Sequence, residues 1–231
     1  MTSHKTYFNW SSGKDATMAL YQLQQHGQYH IDRLITTVNG HYDRVTMHGL
    51  RNVLLEQQCE AIGIHLERIE LPESPSMETY NSIMTKAVDR YKKEGYSHCG
   101  FGDIFLEDLK TYREQQLLPY GITAVFPLWK KDTKTLIQEF IDLGFKAVII
   151  CINAEKLEAS FVGREIGETF MNDLPDDVDP CGEYGEFHTF CYDGPIFKHP
   201  VEFKRGEKTY RTYDLDKDTT IGYWFQDLLP A

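Results

Sequence analysis

The chain has 231 residues, 41% hydrophobic and 26% charged, a length and balance that exclude a disordered protein and allow one large or two small domains. Its 24 basic and 35 acidic side chains give a net charge of −11, which disfavours non-specific nucleic-acid binding. No apolar run approaches the ~20 residues that cross a bilayer, and no apolar signal region begins the sequence. We therefore expect a cytoplasmic protein without a membrane partner. Its five cysteines form no C-x-x-C pair, so reduced thiols are expected rather than zinc or disulfides.

Strands and helices are predicted to alternate through the first two thirds of the chain. Runs rich in β-branched and aromatic residues predict strands, and apolar residues at i, i+3, i+4 and i+7 predict helices. The predicted strands are 6–10, 31–38, 65–71, 97–101, 124–126 and 146–152. The predicted helices begin near residues 16, 50, 77, 106 and 133, the last of them capped by Asp132. This alternation indicates an α/β fold with a doubly wound parallel sheet, whose ligands bind beyond the carboxyl ends of the strands.

The pattern changes near residue 153. The continuous apolar run 146–152 is predicted to lie inside the parallel sheet, whereas residues 153–173 are predicted to be helical with breaks at Gly163 and Gly167. After a loop at 174–180, short β-like runs follow at 187–192, 201–203, 209–213 and 220–225. We therefore predict a division into residues 1–152 and a smaller α+β subdomain, residues 153–231, that packs against the binding edge of the sheet.

Residues 11–16, Ser-Ser-Gly-Lys-Asp-Ala, separate the first predicted strand from the first predicted helix. Small residues let backbone N–H groups converge there, the helix N-terminus adds roughly half a positive charge, and Lys14 adds a full one. The segment therefore predicts a phosphate-binding loop. It is not a Walker A loop, because Phe8 occupies the position of the first glycine and Asp15 that of the Mg²⁺-binding Ser or Thr. An ordinary strand-to-helix turn with a Ser cap is the alternative.

The loop resembles the Ser-Gly-Gly-Lys-Asp-Ser pyrophosphate loop of the N-type ATP pyrophosphatases, which cleave ATP to AMP and pyrophosphate. Two positions differ: Ser12 replaces a Gly, and Ala16 replaces the final Ser. Ser12 fits this loop if its backbone is not left-handed. Ala16 removes one hydroxyl from the expected phosphate shell.

Residues 181–190, Cys-Gly-Glu-Tyr-Gly-Glu-Phe-His-Thr-Phe, form a second dense cluster of polar and small residues. By their chemistry alone they form either a pocket wall that a ligand can approach closely or a turn before an edge strand with a solvated acidic face. The segment resembles the Gly-Glu-Gly-Gly-Glu-Tyr-Glu-Thr-Phe motif of the diphthine–ammonia ligases. Those enzymes use ATP and ammonia to amidate diphthine, a modified histidine of elongation factor 2. The resemblance covers nearly all of residues 5–200, including 102–104, 127–129 and 193–197.

The departures from that family cluster on its substrate side. Tyr184 replaces a Gly and His188 replaces a Glu of the motif, and the runs 42–49 and 105–110 also differ. This pattern resembles bacterial members of the superfamily, and bacteria lack diphthamide. The resemblance therefore implies the use of ATP and leaves the identity of the acceptor open.

The resemblance implies an adenine nucleotide alpha hydrolase-like (HUP-type) fold, with residues 1–152 as the N-type ATP pyrophosphatase nucleotide-binding domain. A carboxylate on a protein side chain or small molecule would attack the α-phosphate of ATP, and ammonia would then displace AMP to leave an amide. The implied ATP-binding residues are Ser11, Ser12, Gly13, Lys14, Asp15, Ala16, Thr37, Val38, Gly102 and Asp103. The implied acceptor-binding residues are Glu183, Tyr184, Gly185, Glu186, His188 and Thr189. The implied catalytic residues are Lys14, Asp15, Glu186 and His188. A polyphosphate would repel Asp15 unless Mg²⁺ intervenes, so Asp15 is the expected Mg²⁺ ligand, and charge complementarity with the helix N-terminus is the alternative role.

Two histidines have further expected roles. His188 could accept a proton from the attacking ammonia, since an unperturbed histidine has a pKa near ~6.5. His48 could reach the nucleotide, but a structural or capping role is favoured. A homodimer is compatible with the sequence.

Three other classes of function are considered. A tRNA-modifying pyrophosphatase is disfavoured by the acidic charge and by the absence of a close cysteine pair. A non-catalytic nucleotide sensor would use the same loop only to bind. An electron-transfer-flavoprotein-like module shares the expected sheet topology but lacks the Lys-Asp loop.

Overall fold

The computed structural model describes residues 3–39, 44–45, 49–214 and 220–231. Its strands are β1 (His4–Asn9), β2 (Tyr29–Asn39), β3 (Arg44–Val45), β4 (His65–Leu71), β5 (His98–Gly100), β6 (Thr123–Val125), β7 (Lys146–Asn153), β8 (Phe187–Asp193), β9 (Phe203–Asp214) and β10 (Thr220–Pro230). Its helices are α1 (Lys14–His26), α2 (Asn52–Ile62), α3 (Met77–Lys93), α4 (Glu107–Leu117), α5 (Thr133–Asp142) and α6 (Glu168–Asp173). No helix in this described part is long and apolar enough to cross a membrane.

The first sheet contains five parallel strands in the order β4-β2-β1-β5-β6, with the short β3 paired antiparallel to the end of β2. The chain therefore builds outward from β1 in one direction and then returns to build from β1 in the other. This reversal is the topological switch point of a doubly wound sheet. The predicted α/β fold is confirmed, and loop 11–16 follows β1 directly at the switch point.

Both faces of the first sheet are covered, which explains why neighbouring residues at the buried centre of β1, Tyr7 and Phe8, are both aromatic. Tyr7 packs in a buried cluster with side chains of α3 and α4, such as Tyr91 and Leu117. Its neighbour Phe8 packs on the opposite face in a second cluster that contains Leu20 of α1. Successive strand side chains point to opposite faces, so a central strand needs apolar residues at both parities.

The second sheet is antiparallel throughout, in the order β8-β7-β10-β9. The prediction that residues 146–152 lie in the parallel sheet is therefore wrong. All of β7 after Lys146 is buried, and a strand buried on both faces has no polar alternation from which its pairing can be inferred. The division at residues 152 and 153 stays a prediction, but the second sheet already begins at Lys146. The smaller C-terminal α+β unit is confirmed.

The predicted helix at 153–173 is mostly absent. Only α6 is helical, and turns occupy most of the preceding segment. Gly163 has a φ of 84°, and a Cβ there would lie 2.7 Å from Oε1 of Gln226, so this turn requires a glycine. Of the run predicted at 201–203 only Phe203 is in a strand, and it belongs with the predicted run 209–213 to one long strand, β9.

Candidate active site

A cavity of about 310 Å³ lies between loop 11–16 and the second motif. The loop contributes Ser11, Gly13, Lys14, Asp15 and Ala16 to its wall. The second motif contributes Gly182, Glu183, Gly185, Phe187, His188 and Thr189. The connection after β5 and helix α4 complete the wall with Gly102, Asp103, Leu106, Leu109 and Arg113, beside Asn9 at the end of β1. The two motifs therefore face one another across a single cavity.

The backbone of loop 11–16 is tied to the second sheet by two hydrogen bonds. The N–H of Lys14 donates to Oγ1 of Thr189 at 3.0 Å. The N–H of Cys191 donates to the carbonyl of Ser12 at 3.0 Å. Thr189, predicted to contact the acceptor, thus also positions the first residue of α1.

Gln58 of α2 is a site residue that the sequence reasoning missed. Its amide nitrogen donates to the carbonyls of Ser12 (2.9 Å) and Cys191 (2.5 Å), while its amide oxygen accepts from the indole N–H of Trp10 (2.9 Å). It is fully buried, and these bonds join the loop, the residue that follows β1 and strand β8 into one network. The sequence signal was a glutamine on the apolar face of a helix, where a buried polar group needs partners.

Lys14 and Asp15 form a buried ion pair at the start of α1. Lys14 Nζ lies 2.9 Å from Asp15 Oδ2 and also donates to the carbonyl of Cys181. Burial disfavours the ammonium, but Asp15, Cys181 and Glu183 together outweigh this effect and raise the pKa of Lys14. For Asp15, burial disfavours the carboxylate and raises the pKa, although the charge of Lys14 acts in the opposite direction. Lys14 is only 3% exposed whereas Asp15 is 29% exposed, so the carboxylate is the part of the pair that a ligand meets first.

The N-terminus of α1 supplies further donors. Gly13 is its N-cap and provides no side-chain cap, and the first N–H groups of a helix have no partner within it. Thr189 accepts from one of them. The remaining donors and the positive end of the helix dipole lie at the cavity wall, an arrangement that suits an anion.

The backbone of Ser12 is left-handed, with a φ of 68°, so the condition under which a serine fits the pyrophosphate loop is not met. The residue is fully buried, and its hydroxyl has no hydrogen-bond partner among the described residues. Bonds from Gln58 and Cys191 to its carbonyl hold the conformation. Serine replaces glycine here at the cost of backbone strain.

Ser12→Gly is therefore expected to raise the free energy of unfolding by about 1 kcal/mol, because glycine adopts this conformation without steric penalty and removes an unpartnered hydroxyl. Urea unfolding of both proteins measures the change. Ser11→Gly is the matched control. Ser11 does not have a positive φ, so glycine there only increases the freedom of the unfolded chain and should lower stability. A Ser12→Gly protein less stable than the parent would contradict the inference that the backbone at Ser12 is strained.

In the second motif, Glu183 faces the cavity. Its Oε1 accepts from the backbone N–H groups of Ile104 (2.9 Å) and Phe105 (3.4 Å), which orients the carboxyl group. Burial raises the pKa of Glu183 to about 7, and the negative charge of Asp15 adds to the shift. Glu183 is therefore poised to exchange a proton near neutral pH.

Glu186 has a different environment. It is 2% exposed and is absent from the cavity wall. Its Oε1 accepts from the N–H of Asp179 (3.1 Å) and its Oε2 from the N–H of Tyr184 (2.9 Å). The carboxylate thus braces the loop that carries Glu183, and its catalytic role stays a prediction. Tyr184 is 70% exposed and packs against Phe105 at 5.1 Å between ring centroids, outside the wall.

His188 lines the cavity, but burial and the nearby charge of Lys14 lower its pKa to about 4. The ring is therefore neutral at pH 7 and is a weaker base than an unperturbed histidine. The pKa of His188 in this buried position thus lies below that of an unperturbed histidine. Its proposed role as proton acceptor stays a prediction.

Gly102 and Asp103 lie where they were expected, after β5 at the carboxyl edge of the sheet. A Cβ on Gly102 would lie 2.9 Å from the backbone nitrogen of Ala16, so the start of α1 packs directly against this glycine. Asp103 forms an ion pair with Arg113 (2.9 Å), whose guanidinium lies 4.5 Å from the ring centroid of Phe101. The carboxylate of Asp103 is thus neutralised by a protein cation.

Thr37 and Val38 lie near the carboxyl end of β2 and are not in the wall of the main cavity. A second cavity of about 60 Å³ adjoins the first, since Asn9 and Arg113 line both. Ile35 lines this apolar space, and Thr37 shares its face of β2. His48 and most of the run 42–49 lie outside the described residues.

Asp15 is the residue predicted to bind Mg²⁺. No group of three or more His, Cys, Asp or Glu side chains is placed to hold a metal ion within the described ranges. Mg²⁺ is commonly held by one or two carboxylates together with substrate phosphates and water rather than by a protein cage. The partly exposed carboxylate of Asp15 beside an anion site fits that mode.

The sheet order, the loop at the switch point and the antiparallel C-terminal unit define an α/β protein of the HUP type. The family model described as "Diphthamide synthase N-terminal domain" matches residues 4–119, and the one described as "Diphthamide synthase C-terminal domain" matches residues 132–221. The chain belongs to the diphthamide synthase family, as its motifs predicted.

Curated relatives carry the name diphthine–ammonia ligase. The chain is 24% identical to the Danio rerio protein over 154 residues, which cover 64% of this chain and 59% of that protein. It is 30% identical to the Schizosaccharomyces pombe protein over 104 residues, which cover 39% of this chain and 17% of that protein. It is also 30% identical to the Rattus norvegicus protein over 92 residues, which cover 38% of this chain and 34% of that protein. The chain thus aligns with less than two thirds of the length of each of these relatives.

Proposed function

We propose that this protein is an ATP-dependent carbon–nitrogen ligase that adenylates a carboxylate and converts it to an amide, releasing AMP and pyrophosphate. The observation that carries the proposal is the single cavity in which the anion-binding loop faces the second motif. The family membership and the names of the relatives support the same class of reaction.

Loop 11–16 would hold the departing pyrophosphate. Fixed backbone donors at the start of α1 and the charge of Lys14 stabilise developing negative charge without having to reorganise. Two of the three ammonium protons of Lys14 have protein acceptors in Asp15 and Cys181, which leaves one for a phosphate oxygen. Mg²⁺ at Asp15 would neutralise the polyphosphate and relieve its repulsion from the carboxylate.

Adenine would lie near the carboxyl end of β2, with the backbone of Thr37 and Val38 beside the ring. The neighbouring apolar cavity lined by Ile35 suits part of a flat, uncharged group. The acceptor carboxylate would then enter between Lys14 and the second motif. The enzyme would act chiefly by positioning and by electrostatic stabilisation.

The expected products of ATP turnover are AMP and pyrophosphate. The protein is incubated with MgATP, ammonium chloride and pooled carboxylic acids, and nucleotides are separated by ion-exchange chromatography. A Lys14→Ala preparation serves as the control for contaminating ATPases. ADP and phosphate formed by the parent protein alone would contradict the proposal, and tight nucleotide binding with no turnover in any pool would favour a nucleotide sensor.

A further inference from the structure

The main cavity contains one carboxylate without a neutralising partner. Asp15 is paired with Lys14 at 2.9 Å, and Asp103 is paired with Arg113 at 2.9 Å. Among the described residues, no basic side chain lies within ion-pair distance of Glu183. Its side chain therefore contributes an uncompensated negative charge to the wall when it is ionised.

The carboxyl group of Glu183 is held in place through only one of its two oxygens. Oε1 accepts from Ile104 and Phe105, whereas Oε2 accepts no hydrogen bond within the described part of the chain. Glu186 differs, because both of its oxygens are occupied by backbone N–H groups and it lies outside the wall. Glu183 thus presents a fixed, free acceptor oxygen to the cavity.

We propose that Glu183 receives the ammonium ion and takes one of its protons. This inference rests on the proposed ligase function. One N–H bond of ammonium breaks, its electron pair stays on nitrogen, and the proton adds to Oε2 of Glu183. The resulting ammonia attacks the carbonyl carbon of the acyl-adenylate, the bond from that carbon to the AMP oxygen breaks, and AMP leaves with the electron pair. The extra proton on the new amide nitrogen passes to solvent.

Several groups determine how Glu183 ionises. Burial and the charge of Asp15 raise its pKa, whereas hydrogen bonds from the Ile104 and Phe105 N–H groups and the charge of Lys14 lower it. The net result is a pKa of about 7. A base with this pKa accepts a proton far more readily than an ordinary carboxylate yet is substantially ionised at pH 7 to 8. His188, which also lines the cavity, has a pKa of about 4 and is the weaker base. The paired Asp103 and Arg113 complete the charged wall.

The binding step can be tested without the acceptor. Protein labelled with ¹³C at the glutamate carboxyl carbon is titrated by NMR in sodium chloride, ammonium chloride or tetramethylammonium chloride. We expect one carboxyl resonance to titrate near pH 7 and to be missing from Glu183→Gln. Ammonium should lower its apparent pKa by about half a unit or more, because a bound cation favours the carboxylate. Tetramethylammonium, which has no N–H group, should not. A resonance of Glu183 that ignores ammonium overturns the proposal.

The kinetic test uses the acceptor found in the turnover assay. Glu183→Gln should raise the KM for ammonium or lower kcat/KM for ammonium by roughly 100-fold or more, while calorimetry shows an unchanged Kd for ATP. In the parent, kcat/KM for ammonium should fall as the pH drops through about 7, where Glu183 becomes protonated, and this limb should vanish in Glu183→Gln. Glu183→Asp should restore part of the rate, and the exposed Glu60→Gln should have no effect.

The outcomes separate this inference from the proposed function. An inactive parent protein refutes the ligase, while the NMR titration still reports on ammonium at Glu183. An active parent whose Glu183→Gln variant keeps its ammonium KM and pH profile refutes only the role of Glu183. Weakened ATP binding in that variant would instead assign Glu183 to the nucleotide site and would also overturn the inference.

Discussion

Lys14→Ala should weaken MgATP binding by roughly 10- to 150-fold, since a hydrogen bond between a charged group and phosphate contributes ~1.5–3 kcal/mol. The fold should persist but with lower stability. Lys14 is almost fully buried and is the cation paired with Asp15, so its removal leaves a partly buried carboxylate without a counter-charge. Calorimetric titration with MgATP measures the affinity, and thermal unfolding of the same samples measures the stability.

Two variants make the Lys14 experiment decisive. Lys134→Ala removes an exposed lysine from α5 and should change neither quantity. Asp15→Asn with Lys14→Ala removes both members of the ion pair and should recover part of the lost stability while nucleotide binding stays weak. A folded Lys14→Ala protein with the affinity of the parent would refute the assignment of the phosphate loop.

Gly102→Ala is expected to disrupt the site from the opposite side. The new Cβ would lie 2.9 Å from the backbone nitrogen of Ala16 and 3.0 Å from the carbonyl carbon of Asp15. These are backbone atoms, so relief requires the start of α1 to shift rather than a side chain to rotate. We expect a loss of about 1–3 kcal/mol in unfolding free energy. Nucleotide affinity should fall by at least tenfold, because displaced N–H groups no longer converge on the phosphate.

Gly167→Ala is the matched control for Gly102→Ala. Gly167 has an extended backbone with a φ of 177°, and a Cβ there meets no atom within 4 Å. Urea unfolding and MgATP titration should both resemble the parent. If Gly102→Ala also matched the parent in both measurements, the close contact between the β5–α4 connection and α1 would be needed neither for stability nor for nucleotide binding.

Local signals explain why much of the fold was predictable. Asp132 accepts a hydrogen bond from the N–H of Thr135 at 2.8 Å, so the predicted cap of α5 is confirmed. Helix α2 ends at Gly63, whose φ of 83° is a left-handed conformation that glycine adopts readily, so this end too has a local signal in the sequence. The switch point follows from strand–helix alternation, because right-handed crossovers leave few arrangements of the strands.

Pairing and side-chain direction were not predictable from the same signals. β7 is apolar at both parities, and this pattern is the same for parallel and antiparallel partners. Gly182 and Gly185 have φ angles of 69° and 83°, and the turns they make place Glu183 in the cavity wall and Glu186 in the loop interior. Spacing in sequence does not specify which of two similar carboxylates faces a ligand.

The hydrogen bonds between loop 11–16 and β8 connect two regions that lie far apart in the sequence. The region that matches the N-terminal family model ends at residue 119, whereas Thr189 and Cys191, which hydrogen-bond to loop 11–16, lie some seventy residues further on. Under the proposed function, neither region alone would contain the whole nucleotide site. A bound nucleotide would then contact residues held by both sheets, and any movement of the two sheets apart would break the hydrogen bonds from Lys14 to Thr189 and from Cys191 to Ser12.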